Sequence, residues 1–213
     1  MLDVTAHVNA LTDRVHDMLG TKSRLLVGIA GAPGSGKSTL ASEVARRLNV
    51  QKVPTVIVPM DGFHLDNAIL DARGLRSRKG APETFDSDGF VHAIRRLHNG
   101  GEVIFPAFDR ARDISIAGAV SVPADCAVVV VEGNYLLFDE APWNTLPQYW
   151  DISARLEVPM PEIRARIIQR WLSHNLSRAA ATRRAESNDI PNAQRVMARS
   201  LPADLALSMG RDL

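Results

Sequence analysis

Gly31-Ala32-Pro33-Gly34-Ser35-Gly36-Lys37-Ser38 fits the pattern G-x-x-x-x-G-K-[ST] without a mismatch. The chemistry that needs these residue types at this spacing is the wrapping of a polyphosphate. Glycines let backbone N–H groups close around an anion and take up positive φ. A helix that starts at the end of the loop adds its unpaired N-terminal N–H groups. Lys37 supplies a point charge for the outer phosphates, Ser38 a hydroxyl for Mg²⁺, and Thr39 a second hydroxyl for a phosphate oxygen. The ordinary alternative is a glycine-rich turn between a strand and a helix. At about 7% glycine usage a chance match to the whole pattern in a chain of this size is rare.

Two carboxylates have the right setting to work beside that loop. Asp61 closes the apolar run Thr55 to Met60, and Glu132 follows the run Ala127 to Val131. In open parallel sheets the ligand crevice lies at such strand ends. Asp61 there could take the proton of a substrate hydroxyl as its oxygen attacks a terminal phosphorus. Glu132 could hold Mg²⁺ with Ser38. Arg166 and Arg170 are four residues apart on an expected helix, so they share a face and could stabilise charge from a lid. Arg164 falls on another side, and Arg178, Arg183 and Arg184 are weaker candidates. The six histidines show no metal-ligand spacing, which argues against a zinc site; only His64, three residues from Asp61, is of interest.

The elements that must position these residues read as alternating strands and helices. A first helix carries Val4, Val8, Leu11 and Val15 at helical spacing and stops at Gly20. Strands are expected over Leu25–Ile29, Thr55–Met60, Glu102–Phe105, Ile114–Val122, Ala127–Val131 and Ile152–Val158. Helices are expected from about Ser38 to Leu48, around Phe90–Leu97, and from Pro161 to about Leu172. Alternation of this kind predicts a parallel sheet covered on both faces, an α/β fold in one domain. Residues 62–88 are polar, lack a clear pattern, and are expected with residues 160–190 to be mobile additions.

Composition excludes other classes. The 213 residues hold 25 basic and 24 acidic side chains and 46% hydrophobic residues, which argues against disorder and against a basic nucleic-acid coat. Cys126 is the single cysteine, so no disulfide framework is expected, and its place before a valine run predicts burial. No run reaches the ~20 apolar residues of a membrane span. The start Met1-Leu2-Asp3-Val4 lacks a signal pattern, so a cytoplasmic setting, without membrane or nucleic-acid partner, is expected. The guanine-reading Asn-Lys-x-Asp of GTPases is missing from the sequence. Asp71-Ala72-Arg73-Gly74 and Asp86-Ser87-Asp88-Gly89 spell D-x-x-G but follow no apolar strand, and read as turns. A small-metabolite kinase is favoured over a switch or a motor.

Several blocks in order carry a resemblance: Gly31 to Thr39, Met60-Asp61-Gly62-Phe63-His64, Pro82-Glu83-Thr84-Phe85-Asp86, Pro106-Ala107-Phe108-Asp109 and Glu132-Gly133-Asn134-Tyr135-Leu136-Leu137. Across about residues 25–207 the chain resembles the phosphoribulokinase/uridine kinase/pantothenate kinase family of P-loop kinases. Within that family it is most similar to the bacterial fructose transport system kinases, whose segment after the lid also resembles Asn188-Asp189-Ile190-Pro191-Asn192-Ala193. The resemblance implies a three-layer P-loop fold, with a mainly parallel five-stranded sheet, helices on both faces and a helical lid. It implies ATP and Mg²⁺, and phosphorylation of a small alcohol. Asp61 matches the family's base and Glu132 its acidic residue, with Arg166 and Arg170 as lid arginines. His64, Asp66, Asn67, Arg78, Lys79, Asp86 and Arg110 would contact the acceptor. Uridine kinases have Asp-Ser-Phe-Tyr where this chain has Asp61-Gly62-Phe63-His64, and an acidic residue where it has Gly80. Pantothenate kinases have longer terminal regions. A fructose-like sugar is the first choice of acceptor, nucleosides and pantothenate the second, and a nucleotide-binding regulator without turnover the alternative of another class. Pairing into a homodimer is left open.

Overall fold

The computed structural model describes residues 4–208. Its centre is a sheet of five parallel strands in the order β2-β5-β1-β6-β7. β1 (Leu25–Gly31) and β5 (Val128–Gly133) are buried along their whole length. That is why they read as unbroken apolar runs and not as alternating ones. β2 (Thr55–Pro59) and β6 (Ile152–Glu157) flank them, and β7 (Leu205–Ser208) closes the far edge. β1 pairs with β5 from Leu25↔Val128 to Ala30↔Gly133, so Gly31 and Glu132 end on the same rim of the sheet.

The helices pack onto this sheet through the periodic residues. α1 (Thr5–Met18) buries Val8, Leu11 and Val15, and α2 (Lys37–Val50) buries Leu40, Ala41, Val44 and Leu48. α4 (Ser87–His98) buries Phe90, Ile94 and Leu97, and α5 (Met160–Ser173) buries Ile163 and Ile167. Each element lies within a few residues of its expected bounds. The part of the first-helix reading that precedes Val4 lies outside the described residues. Cys126 is buried, as its position suggested. Among the described residues no helix is long and apolar enough to cross a membrane.

Four expectations need correction. Residues 62–88 are not without secondary structure: Met60–Phe63, Arg76–Arg78 and Pro82–Thr84 form 3₁₀ turns, and α3 (Asn67–Ala72) lies between them. Buried Leu70, Ala81, Thr84 and Phe85 anchor the segment. Its elements are too short for periodicity to register. Second, Met60 and Asp61 belong to the first of those turns, not to strand β2. Third, β3 (Val103–Asp109) runs through Pro106 and pairs antiparallel with β4 (Ile114–Val122), with a register shift between Phe105 and Ala107 that accommodates the proline. Fourth, the expected elements end with α5, whereas the chain goes on to form α6 (Arg178–Arg184), a π-helical turn over Ala185–Asp189, α7 (Ile190–Ala198) and the edge strand β7.

Candidate active site

The loop between β1 and α2 is built to receive an anion. Gly34 and Gly36 take φ of +79° and +98°, values at which a side chain would be strained. Gly36 caps α2, and no side chain satisfies the first-turn N–H groups there. A Cβ at Gly31 would lie 2.6 Å from Ser35 Oγ, so a larger residue there would push the Ser35 hydroxyl out of its place in the loop. Ser35 Oγ is itself buried without a hydrogen-bond partner. Uncapped N–H groups, a buried hydroxyl and a following lysine are the donors that a phosphate tail would satisfy.

Lys37, Glu132 and Asp61 meet beside this loop. Ser38 Oγ donates to Glu132 Oε1 at 2.9 Å. Glu132 is 7% exposed, so it lies inside the rim and not in solvent. Burial lowers the Lys37 ammonium below its ordinary 10.5, opposed by the charges of Glu132 and Asp61. Burial raises the Glu132 carboxyl, opposed by Lys37, while Asp61 raises it further. The three groups therefore share one electrostatic environment. A hydroxyl and a carboxylate side by side form a hard oxygen pair that suits Mg²⁺.

Facing Asp61 is a wall of rings. His64 stacks between Phe85, at 4.0 Å between centroids, and Phe108, at 4.5 Å. Its Nδ1 donates to Asp61 O at 2.7 Å, and burial holds the ring below its ordinary 6.5. The imidazole is thus neutral near pH 7, with its proton on Nδ1. Lys79 Nζ donates to Asn67 Oδ1 at 2.8 Å and to Asp113 O at 2.9 Å, pairs with the Asp113 carboxylate at 3.0 Å, and lies over the Phe108 ring. Arg110, on the turn between β3 and β4, reaches Asp61 Oδ2 at 2.5 Å. A Cβ at Gly62 would lie 2.2 Å from Pro106 O, so the turn carrying Asp61 sits directly on the backbone of β3.

The profile of the phosphoribulokinase/uridine kinase family matches residues 26–184, which contain all of these groups. The chain belongs to that family. Three of its relatives bear out the match. The crystal structure of a Silicibacter sp. TM1040 protein, provisionally named a fructose transport system kinase, is 52% identical with a TM-score of 0.89, covering 93% of this chain and 98% of that one. A Schizosaccharomyces pombe protein, provisionally named a uridine kinase, is 33% identical over 219 residues, 98% of this chain and 93% of that protein. The uncharacterized Escherichia coli K12 protein YggC is 36% identical over 188 residues, 87% of this chain and 78% of that one. The family's P-loop fold, with a mainly parallel five-stranded sheet, is the fold observed.

Within this family member the sequence-selected residues divide. Lys37, Ser38, Asp61, Glu132, Arg170, His64 and Arg110 come together around one cleft. Arg166 and Arg170 do not act as a pair. Arg166 donates to Gly34 O and Ser35 O at 3.3 and 3.0 Å and bonds Glu162, so it braces the loop from outside. Arg170 is held by Asp189 and lies in electrostatic reach of Asp61, Arg110 and Lys37. Asn67 and Lys79 bond to each other and to Asp113 behind the ring wall. Asp66 caps α3 through Ala68 N and Asp86 caps α4 through Gly89 N, which commits one oxygen of each to the backbone. Arg78 is exposed and pairs with Glu83. Asp113 and Trp171 escaped notice because their partners are distant in sequence, and Asn188 and Asp189 stand in the sequence only as part of the segment after the lid, with no role of their own.

Proposed function

We propose that this chain is an ATP-dependent kinase that moves the γ-phosphoryl group to a hydroxyl of a small polar metabolite. One observation carries the reading: Asp61 stands in the same electrostatic environment as Lys37 and Glu132, at the mouth of an uncapped phosphate loop. The loop amides and Lys37 would hold the β- and γ-phosphates. Mg²⁺, held by Ser38 and Glu132, would neutralise charge on the phosphate oxygens. Asp61 accepts the proton of the acceptor hydroxyl as its oxygen forms the new bond to phosphorus and the bond to ADP breaks. Arg170 stabilises the charge of the transferring group. Beside the loop lies a cavity of about 540 Å³ lined by Ala32, Val158, Ile163 and Met197 among others, which would take the nucleotide base.

The likeness to the Silicibacter protein supports a fructose-like sugar as the first choice of acceptor, and the name of the fission-yeast relative supports a nucleoside as the second. Incubation with labelled ATP and a panel of fructose, uridine and pantothenate, followed by identification of the labelled product, decides between them. ATP consumption that needs no added alcohol would turn the reading toward a nucleotide-dependent regulator.

A further inference from the structure

The π-helical turn Ala185–Asp189 has no part in the function as argued so far, yet it touches both halves of the cleft. Asp189 uses both carboxylate oxygens. Oδ2 accepts from Trp171 Nε1 at 2.8 Å, and Oδ1 accepts from Arg170 Nη2 at 3.3 Å. The Asp189 side chain is 13% exposed and that of Arg170 37%, so the carboxylate is shielded while the guanidinium keeps a face open. The preceding residue, Asn188, is 3% exposed and donates from Nδ2 to Lys79 O at 2.9 Å. Four residues on, Asn192 Nδ2 donates to Gly80 O at 2.9 Å. Lys79 in turn is bound to Asn67 and Asp113 at the ring wall. A π turn is a locally unfavourable form of helix, and Asn188 Oδ1 is buried without a partner. Both costs fall within the turn that carries Asn188 and Asp189.

We propose that Asp189 is a positioning residue for phosphoryl transfer, which sets the Arg170 guanidinium on the cleft side of α5 while its neighbour Asn188 fixes the same turn to the ring wall. The argument is one of freedom. An arginine on a helix face has many rotamers, and only a few bring its planar fork to a terminal phosphate. Asp189 removes that freedom before the nucleotide arrives. The other charges facing Arg170 are Arg110, Asp61, Lys37 and Arg184, and Arg184 lies over the Trp171 ring at 4.9 Å. Among the described residues, Asp189 is the one in ion-pair contact with Arg170.

The proposal rests on the kinase reading, and its test needs no knowledge of the acceptor. The affinity of the full chain for Mg²⁺-ATP and Mg²⁺-ADP is measured by calorimetry. Arg170→Met should lower the preference for ATP over ADP about tenfold, the scale of one charge-assisted contact to a phosphate. Asp189→Asn keeps the shape and can still accept from Trp171, but offers no carboxylate to the arginine; it should give the same loss. The double variant should be no worse than Arg170→Met alone, because both act through one side chain. The Arg170 guanidinium also lies over the Trp171 ring, 5.7 Å from its centroid. Trp171→Phe keeps a ring there and the Asp189 pair while removing the other donor to Asp189, and should leave the preference within about twofold. Should D189N fail to fold, Asp189→Glu replaces it, with an intermediate loss expected. An unchanged preference in D189N, or losses that multiply in the double variant, overturns the assignment. A wild-type protein that binds neither nucleotide would instead overturn the kinase reading itself.

Discussion

Asp61 is placed by its turn and by the Arg110 pair on one carboxylate oxygen, so an isosteric change separates its chemistry from its structural role. Asp61→Asn keeps the shape and removes the proton acceptor. Turnover of the accepted alcohol should fall by ~10²-fold or more, with ATP affinity preserved. Transfer of label from ATP, alongside calorimetric binding, checks both halves. His64 makes a prediction of another kind. Burial holds the folded-state imidazole below its ordinary 6.5, so the unfolded chain takes up the proton first as the pH drops. The contribution of His64 to stability is therefore complete above about pH 6.5 and is lost as the pH falls from there through the folded-state value, at up to about 1.4 kcal/mol per pH unit. His64→Phe retains a ring between Phe85 and Phe108 and should flatten that part of the profile in denaturant melts taken from pH 7.5 to 5.

At the scale of elements, the turn Met60–Phe63 is fixed by its contact with β3. Gly62→Ala would drive a methyl group into Pro106 O, a backbone atom that cannot rotate away. The expected loss is about 3 kcal/mol, read as a melting temperature lower by about 6–12 °C. The elements also show what a chain of letters discloses. β1 and β5 were legible because strands buried on both faces must be apolar throughout, and α2 because its buried side chains recur at the helical period. The phosphate loop was legible because its glycines answer a backbone requirement. α3 and the turns around it were not, since a six-residue helix held by an Asp cap and burying Leu70 alone is too short for a helical period to show. β7 is four residues on a half-exposed edge, too few to alternate visibly. The shared helical spacing of Arg166 and Arg170 was read correctly, but the spacing could not show that Glu162 would claim one and Asp189 the other.

For the whole molecule, the cleft lies where the rim of the central strands, the β3–β4 hairpin and the segment after α5 meet. A ligand seated there ties these parts together and stabilises the native state by mass action. Mg²⁺-ATP at a hundred times its dissociation constant should add about 2.7 kcal/mol. The melting temperature should then rise by about 5–11 °C in a thermal-shift measurement. Lys37→Ala should abolish most of that rise.

The strand order has a consequence for synthesis. The phosphate loop is encoded in the first fifth of the chain, yet β1 gains its neighbours only when β5 and β6 exist, at residues 128–133 and 152–157. A nascent polypeptide leaving the ribosome therefore carries its anion-binding segment for most of translation without a sheet to brace it. Distant pairings of this kind form slowly, and the site that binds nucleotide is among the last parts of the protein to come into being.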